Sequence, residues 1–125
     1  MSGIRFLLDT NFAIGLLRSD PTAVALQQQL GIPTGGNALS QISRIELLGY
    51  PRMDPSDEFQ VKKFVAFCDV LAIDDAVAAK TIELRRATRL KLPDAIILAT
   101  ALVHGLKLVT LDQRLRSAAS GLGKQ

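Results

Sequence analysis

Four short apolar runs, separated by helix-length segments, constrain the fold of this chain more than any other feature. They occupy residues 4–8, 38–42, 70–73 and 106–111. Within the first run, residues 6–8 have no polar break, which is typical of a strand buried on both faces. No tight hairpin signal joins two runs, and parallel strands need crossovers between them. The sequence therefore predicts an α/β fold with a short central parallel sheet, helices on both faces and the order β-α-α-β-α-α-β-α-α-β-α.

Turn and capping residues predict where the helices begin and end. Asn11 is expected to cap the first helix, directly after the first strand. Ser43 and Glu46 have the spacing of a capping box, which would begin the third helix. Pro93 and Gly105 are expected to open and close a helix that is apolar almost all round, and such a helix is predicted to be packed inside the domain.

The composition fits one domain. A chain of 125 residues that is 48% hydrophobic can bury a core without disulfides. We predict a domain over residues 1–116 and a flexible tail over residues 117–125, which are small and polar. The single cysteine, Cys68, lies in an apolar stretch and is expected in the core. No apolar segment is long enough for a signal peptide or a membrane span, so we expect a cytoplasmic protein without membrane contact.

Acidic residues fall where the predicted strands and helices meet. In an open parallel sheet, the functional crevice lies outside the carboxyl ends of the strands. Four acids are predicted at or near that edge: Asp9, Glu46, Asp94 and Asp112. Each also has a purely structural interpretation, as a helix cap or as a charge that answers a helix dipole. Asp74 and Asp75 follow a strand on the same edge, so topology leaves six candidates.

Converging carboxylates would require a cation. Two carboxylates about 4 Å apart repel by about 4 kcal/mol at an effective dielectric constant of about 20. Carboxylate oxygens favour Mg²⁺ or Mn²⁺, and no histidine or cysteine is placed to make a zinc site. His104, the only histidine, is expected at the end of a helix.

Four segments resemble, in order and spacing, the four motifs of PIN domains. They are Leu7-Leu8-Asp9-Thr10-Asn11, Ser43-Arg44-Ile45-Glu46-Leu47-Leu48-Gly49, Leu92-Pro93-Asp94-Ala95-Ile96-Ile97-Leu98-Ala99-Thr100-Ala101 and Leu108-Val109-Thr110-Leu111-Asp112. Together they span nearly the whole chain. The Asp-Thr-Asn opening and the Pro-Asp-Ala helix start resemble the VapC toxin branch in particular. The resemblance implies a PIN-like domain over residues 1–116.

The resemblance also implies the roles of individual residues. It implies that the catalytic acids and metal ligands are Asp9, Glu46, Asp94 and Asp112, and it sets Asp74 and Asp75 aside as capping residues. It is consistent with a group of polar side chains that position the acids or the scissile phosphate: Thr10, Asn11, Ser43 and Thr110. One departure stands out, since VapC-like proteins often carry a further acid three residues beyond the Asp112 position, where this chain has Leu115.

The implied activity is that of a Mg²⁺- or Mn²⁺-dependent endoribonuclease. Metal-activated water would attack the phosphodiester in line and leave 5′-phosphate and 3′-hydroxyl ends. The resemblance further implies a cognate VapB-type antitoxin, a homodimer and promoter DNA bound through the toxin–antitoxin complex.

A basic cluster precedes Asp94 in the sequence. It consists of Arg85, Arg86, Arg89 and Lys91, and we expect it to hold the RNA backbone by salt-sensitive, sequence-independent contacts. The net charge of +3 separates a nucleic-acid binder from an ordinary protein only weakly. Six aromatic residues and no tryptophan give little sign of base stacking.

Other small α/β proteins with acids at strand ends are alternatives. A receiver-like phosphoryl switch expects paired acids after the first strand and a lysine after the last. A haloacid-dehalogenase-type phosphatase expects a second aspartate where Asn11 stands. A non-catalytic PIN-like interaction module is the third alternative, and only measured activity separates it from a nuclease.

Overall fold

Strands and helices follow one another in the order that the sequence predicts. The computed structural model describes residues 3–123. Within them the elements are β1 (Phe6–Leu8), α1 (Thr10–Leu17), α2 (Pro21–Leu30), β2 (Ala38–Ser40), α3 (Gln41–Leu48), α4 (Pro55–Ala66), β3 (Asp69–Leu71), α5 (Asp75–Ala87), α6 (Leu92–His104), β4 (Lys107–Val109) and α7 (Gln113–Gly123). The predicted α/β class is confirmed.

The four strands form one parallel sheet in the order β3-β2-β1-β4. Leu7 at the centre of β1 is in register with Ala38 on one side and Leu108 on the other. β1 and β2 are completely buried, whereas the outer strands β3 and β4 are partly exposed. The chain runs from β1 through β2 to β3 on one side and then crosses back to β4 on the other side of β1. The switch point, where open sheets bind ligands, therefore lies between the carboxyl ends of β1 and β4.

Alternating side chains of β1 explain why helices cover both faces. Leu7 packs with Ile97 and Ala101 of α6 on one face. Phe6 and Leu8 point to the other face and pack with α1, α2 and α4. The predicted arrangement of helices on both faces is therefore confirmed.

The apolar helix α6 is packed inside the domain, as its composition predicts. Its residues 95–101 are all buried, between the sheet on one side and α5 and α7 on the other. Gly105 ends it with φ +64°, a left-handed conformation that glycine adopts without steric cost. His104 is the last residue of the helix, as expected.

Two helix caps differ from the prediction. Asp9, and not Asn11, caps α1, and Ser40, and not Ser43, caps α3. The predicted capping box is therefore wrong, because Ser43 and Glu46 both lie inside α3. These side chains have tertiary partners that local spacing does not reveal.

The last helix is longer than predicted. α7 continues to Gly123, so residues 117–123, which we predicted to be a tail, are helical. Leu115 is completely buried, and Ala118 and Ala119 pack against the same cluster on α6. This spacing forms a narrow apolar stripe that is weak in sequence because two of its members are alanines. Residues 124 and 125, also assigned to the tail, lie outside the described residues.

None of the helices within residues 3–123 is long and apolar enough to cross a membrane.

Candidate active site

Three of the predicted acids lie around one cavity at the carboxyl edge of the sheet. The cavity has a volume of about 340 Å³, and its walls include Asp9, Glu46 and Asp94. Asp9 follows β1, Glu46 lies within α3, and Asp94 lies in the first turn of α6. The packing of β1, α3 and α6 therefore brings together residues that are far apart in the chain.

The carboxyl group of Asp9 is buried and costly to ionise. Asp9 is only 4% exposed. The pKa of Asp9 is raised to about 6, chiefly by burial. Hydrogen bonds from Thr110 and Thr10 lower it, and repulsion by Asp94 and Glu46 contributes to the rise. A carboxylate held at such a cost is a common mark of a functional site.

Asp94 is perturbed in the same direction. Burial raises its pKa first, followed by repulsion from Asp112 and Glu46. The charge of Lys91 opposes this shift. The acids thus concentrate negative charge in the cavity, and a bound cation would relieve their repulsion.

Thr110 connects the end of β4 to Asp9. Its hydroxyl donates to Asp9 Oδ2 at 2.6 Å and accepts from the backbone N–H of Asp112 at 3.0 Å. The second Asp9 oxygen, Oδ1, accepts from the Thr10 N–H at 2.8 Å. Arg116 of α7 donates to the Thr110 carbonyl at 2.7 Å. Asp9 is therefore held in one orientation from both sides.

Thr10 connects α1 to Glu46. The Thr10 hydroxyl lies 2.6 Å from Glu46 Oε1 and 2.9 Å from Ser43 Oγ. Because a hydroxyl has a single proton, the Thr10 hydroxyl donates to the Glu46 carboxylate and accepts from the Ser43 hydroxyl. Ser43 is completely buried, so its side chain supports the site and not the start of the helix.

Asn11 and Asp112 lie on the side of the β4–α7 connection. The Asn11 Oδ1 accepts from the Leu111 N–H at 3.1 Å. Asp112 Oδ1 accepts from the N–H groups of Arg114 and Leu115 at 2.8 and 3.2 Å, which is a helix-capping arrangement. Asp112 does not line the cavity, but its charge acts on Asp94. Asn11 lines it.

The other candidate positions lie elsewhere. Asp74 caps α5 by accepting from the Val77 N–H, and neither it nor the exposed Asp75 lines the cavity. Leu115, where the resemblance places a further acid, is completely buried in the core. A carboxylate at that position would face apolar side chains and not the cavity. Cys68 is half-buried against the core, and burial raises the pKa of its thiol to about 11.

The donor set fits Mg²⁺ or Mn²⁺ in kind. Asp9, Glu46 and Asp94 offer carboxylate oxygens, the ligands that these ions prefer. Among residues 3–123, no three carboxylate, imidazole or thiol groups lie close enough together to surround an ion by themselves. Mg²⁺ usually keeps several waters and binds proteins through one or two carboxylates, so an open arrangement of this kind suits it.

The basic cluster lies at the junction of α5 and α6. Arg85 donates to the Leu90 carbonyl at 2.9 Å and so stabilises this junction. Arg86, Arg89 and Lys91 are exposed. Of the cluster, Lys91 is the residue whose charge acts on Asp94.

Sequence reasoning missed two residues of the cavity wall, Ile14 and Tyr50. Tyr50 follows the end of α3, four residues beyond Glu46. It also missed Arg116, whose contact with Thr110 joins residues on different elements. The helical spacing of Tyr50 from Glu46 was the signal that could have found the tyrosine.

We expect Thr110→Val to lower the free energy of unfolding by about 2 kcal/mol, because it removes a buried hydrogen bond to a carboxylate. Urea denaturation at neutral pH measures the change. Thr100→Val is the matched control, since Thr100 is equally buried but its hydroxyl donates only to the carbonyl of Ile96 in its own helix. If both variants lose the same free energy of unfolding, the hydrogen bond to Asp9 stabilises the fold no more than the one within α6 does.

The PIN-domain family model matches residues 6–121 of this chain. Solved structures are similar over most of its length. A chain of the toxin–antitoxin complex from Klebsiella pneumoniae is 34% identical, with 85% of each chain covered and a TM-score of 0.71. DNA-bound VapBC from Salmonella typhimurium is 26% identical, with 91% of each chain covered and a TM-score of 0.71.

FitAcB from Neisseria gonorrhoeae shares the fold at 24% identity, with 92% of this chain and 93% of that chain covered and a TM-score of 0.72. No protein matches in a search of curated sequences.

Proposed function

Because this chain belongs to the PIN-domain family, we propose that it is a metal-dependent endoribonuclease and the toxin of a VapBC-type toxin–antitoxin pair. The observation that carries the proposal is the cavity shared by Asp9, Glu46 and Asp94. The raised pKa values of Asp9 and Asp94 support it, since repulsion within the cavity contributes to both. Membership of the family also sets aside the receiver-like and phosphatase-like alternatives.

Asp9 and Asp94 would hold Mg²⁺ or Mn²⁺, with Glu46 as a further ligand or as the group that orients water. The bound ion would lower the pKa of water and neutralise charge that develops on the phosphodiester. Each Asp9 oxygen already accepts one hydrogen bond, so the carboxylate cannot rotate away from the cavity. Glu46 accepts from Thr10 through Oε1, which leaves Oε2 for water or metal. Asp112 would act through its charge on Asp94 and through the start of α7.

The ends of the RNA fragments test this mechanism. Attack by water in line with the 3′-oxygen leaves 5′-phosphate and 3′-hydroxyl ends. Ligation-based mapping of the products of the purified chain is expected to find 5′-phosphates. Fragments with 2′,3′-cyclic phosphates would contradict the proposal, because they arise from attack by the ribose hydroxyl and not by water.

The basic-cluster residues other than Arg85, which are Arg86, Arg89 and Lys91, would hold the RNA backbone. We expect Arg86→Glu with Arg89→Glu to weaken RNA binding and to reduce the salt slope of the binding constant by about 1.4, at about 0.7 per phosphate contact. Arg85 is left intact because it stabilises the α5–α6 junction.

A double variant at the opposite edge of the sheet is the matched control. Arg5→Glu with Lys107→Glu makes the same change in charge at the amino ends of β1 and β4. Fluorescence anisotropy over a range of salt concentrations compares the two variants. Equal salt slopes would assign the effect to net charge and not to the basic cluster.

The partners proposed for this chain come from its relatives. The similar structures from Klebsiella pneumoniae and Salmonella typhimurium are a toxin–antitoxin complex and a DNA-bound VapBC. They support the proposal of a VapB-type antitoxin and of contact with promoter DNA only through the antitoxin complex. The homodimeric state is proposed from the resemblance to VapC toxins alone. The remaining alternative is a non-catalytic PIN-like module, and measured activity separates it from a nuclease.

A further inference from the structure

A second cavity adjoins the acidic one. It has a volume of about 250 Å³ and lies between α1, α3 and the start of α4. Ile14 and Tyr50 line both cavities, so the two are neighbours that share a wall. A molecule that reacts in the acidic cavity can therefore extend into the second one.

The second cavity has an apolar floor and cationic sides. Leu17, Leu47 and Met53 contribute apolar surface, and Arg18 and Arg52 contribute positive charge. Its one acidic wall residue is Asp57, which leaves a formal charge of +1 from these two arginines and one aspartate. An apolar surface beside cations matches a nucleotide, which joins a flat base to a phosphate.

Tyr50 offers the flat surface. It is 44% exposed, and the guanidinium carbon of Arg18 lies 5.8 Å from the centre of its ring. The Arg18 Nη2 also lies 3.5 Å from the tyrosine hydroxyl. Tyr50 also lines both cavities, so part of its ring surface faces them and is accessible for stacking.

Arg52 is in an unusual backbone conformation. Its φ of +63° lies in the left-handed region, where a side chain other than glycine, asparagine or aspartate is uncommon. Such conformations are strained and cluster at functional sites. Arg52 thus presents its charge to the cavity from a strained turn that directly follows Tyr50 and Pro51.

We propose that this second cavity binds the base of the nucleotide next to the scissile phosphate. Tyr50 stacks on that base, and Arg18 and Arg52 contact the phosphate beyond it. The inference rests on the proposed ribonuclease function and adds a substrate requirement: an unpaired base beside the cleaved bond. It also gives the only tyrosine of a chain with few aromatic residues a role in substrate binding.

A double-mutant cycle on a cleaved oligoribonucleotide tests this. The enzyme variants are Tyr50→Ala and Tyr50→Phe, and the substrate variants lack the base on either side of the cleaved bond. For one of the two positions, Tyr50→Ala and loss of the base are each expected to lower kcat/KM by about 10-fold or more. Together they should cost no more than either alone, because both remove the same contact.

Two controls accompany the cycle. Tyr50→Phe keeps the ring and should stay within about 2-fold of the unmodified chain, because stacking needs only the aromatic face. Phe67→Ala removes a ring that is 63% exposed at the end of α4, outside both cavities, and should have no effect. Thermal unfolding of each variant shows that the fold is intact.

A binding measurement separates failure of this proposal from failure of the proposed function. Tyr50 is the single tyrosine, so its ring gives one set of NMR signals. In EDTA, where no cleavage is expected, addition of the oligonucleotide should shift these signals upfield, and the oligonucleotide that lacks the base should not. Such a shift without cleavage in Mg²⁺ would support the base site and refute the nuclease.

Other outcomes overturn the proposal. Cleavage by Tyr50→Ala at the unmodified rate would exclude the base site, as would multiplicative effects in the double-mutant cycle or unmoved ring signals. If Tyr50→Ala loses only its affinity for a partner protein, the cavity is a protein-binding surface and not an RNA site.

Discussion

Asp94→Asn is expected to lower the rate of RNA cleavage by about 10³-fold. Asp94 lies in the cavity with Asp9 and Glu46. In the proposed mechanism, loss of its charge would remove a ligand of the metal that is to supply several kcal/mol of charge stabilisation. Steady-state cleavage of one oligoribonucleotide in Mn²⁺ measures the effect. Calorimetry with Mn²⁺ should show weaker binding in the same variant.

Asp75→Asn is the matched control for this prediction. Asp75 follows a strand at the same edge of the sheet and lies in the first turn of a helix, as Asp94 does, but it is exposed and outside the cavity. Its replacement should leave cleavage unchanged. If both variants lose the same cleavage rate, a position in the cavity wall does not distinguish the catalytic acids from other acids.

Asp9→Asn is expected to abolish cleavage and, in the absence of metal, to stabilise the fold. The shift of the Asp9 pKa from 3.8 to about 6 corresponds to about 3 kcal/mol at neutral pH, an upper limit for the gain. Loss of one acceptor for Thr110 or Thr10 reduces this gain. Urea denaturation in EDTA at pH 7 measures it.

The pH dependence of stability gives the sign of this effect. Because the folded state raises the pKa of Asp9, the folded chain binds the proton more tightly than the unfolded chain does. The free energy of unfolding contributed by Asp9 should therefore fall as the pH rises from about 4 to about 6 and stay level above that range. Asp9→Asn should lose this slope and Asp75→Asn should keep it. An unchanged slope in Asp9→Asn would assign the pH dependence to other groups.

Much of the fold follows from local patterns. Short apolar runs, proline at helix starts and glycine at helix ends are local signals, and they predicted the order of all eleven elements between residues 3 and 123. Asp20 and Asp54, each followed by a proline, cap α2 and α4. The convergence of Asp9, Glu46 and Asp94 followed from a rule about parallel sheets and from the PIN-like motifs.

What the sequence did not predict depends on contacts between distant residues. The strand order, with β1 between β2 and β4, is set by packing across the sheet. Ser43 has the spacing of a cap but turns inward, where the Thr10 hydroxyl is its hydrogen-bond partner. The spacing of Tyr50 from Glu46 was its only local signal, and the second cavity beside it has none because three helices form that cavity. At position 115 the structure explains the departure from the VapC-like pattern. Leu115 is buried against α6, and such a position requires an apolar residue.

RNA cleavage by the purified chain, freed of any partner and assayed with Mg²⁺ or Mn²⁺ and with EDTA, tests the central claim most directly. A structured and an unstructured RNA pool should both be included, because the substrate is expected to present an unpaired base. Cleavage that appears with either metal and disappears with EDTA is the predicted result. Cleavage that persists in EDTA, or no cleavage together with no Mn²⁺ binding by calorimetry, would contradict the claim, and the second result would leave a non-catalytic PIN-like module.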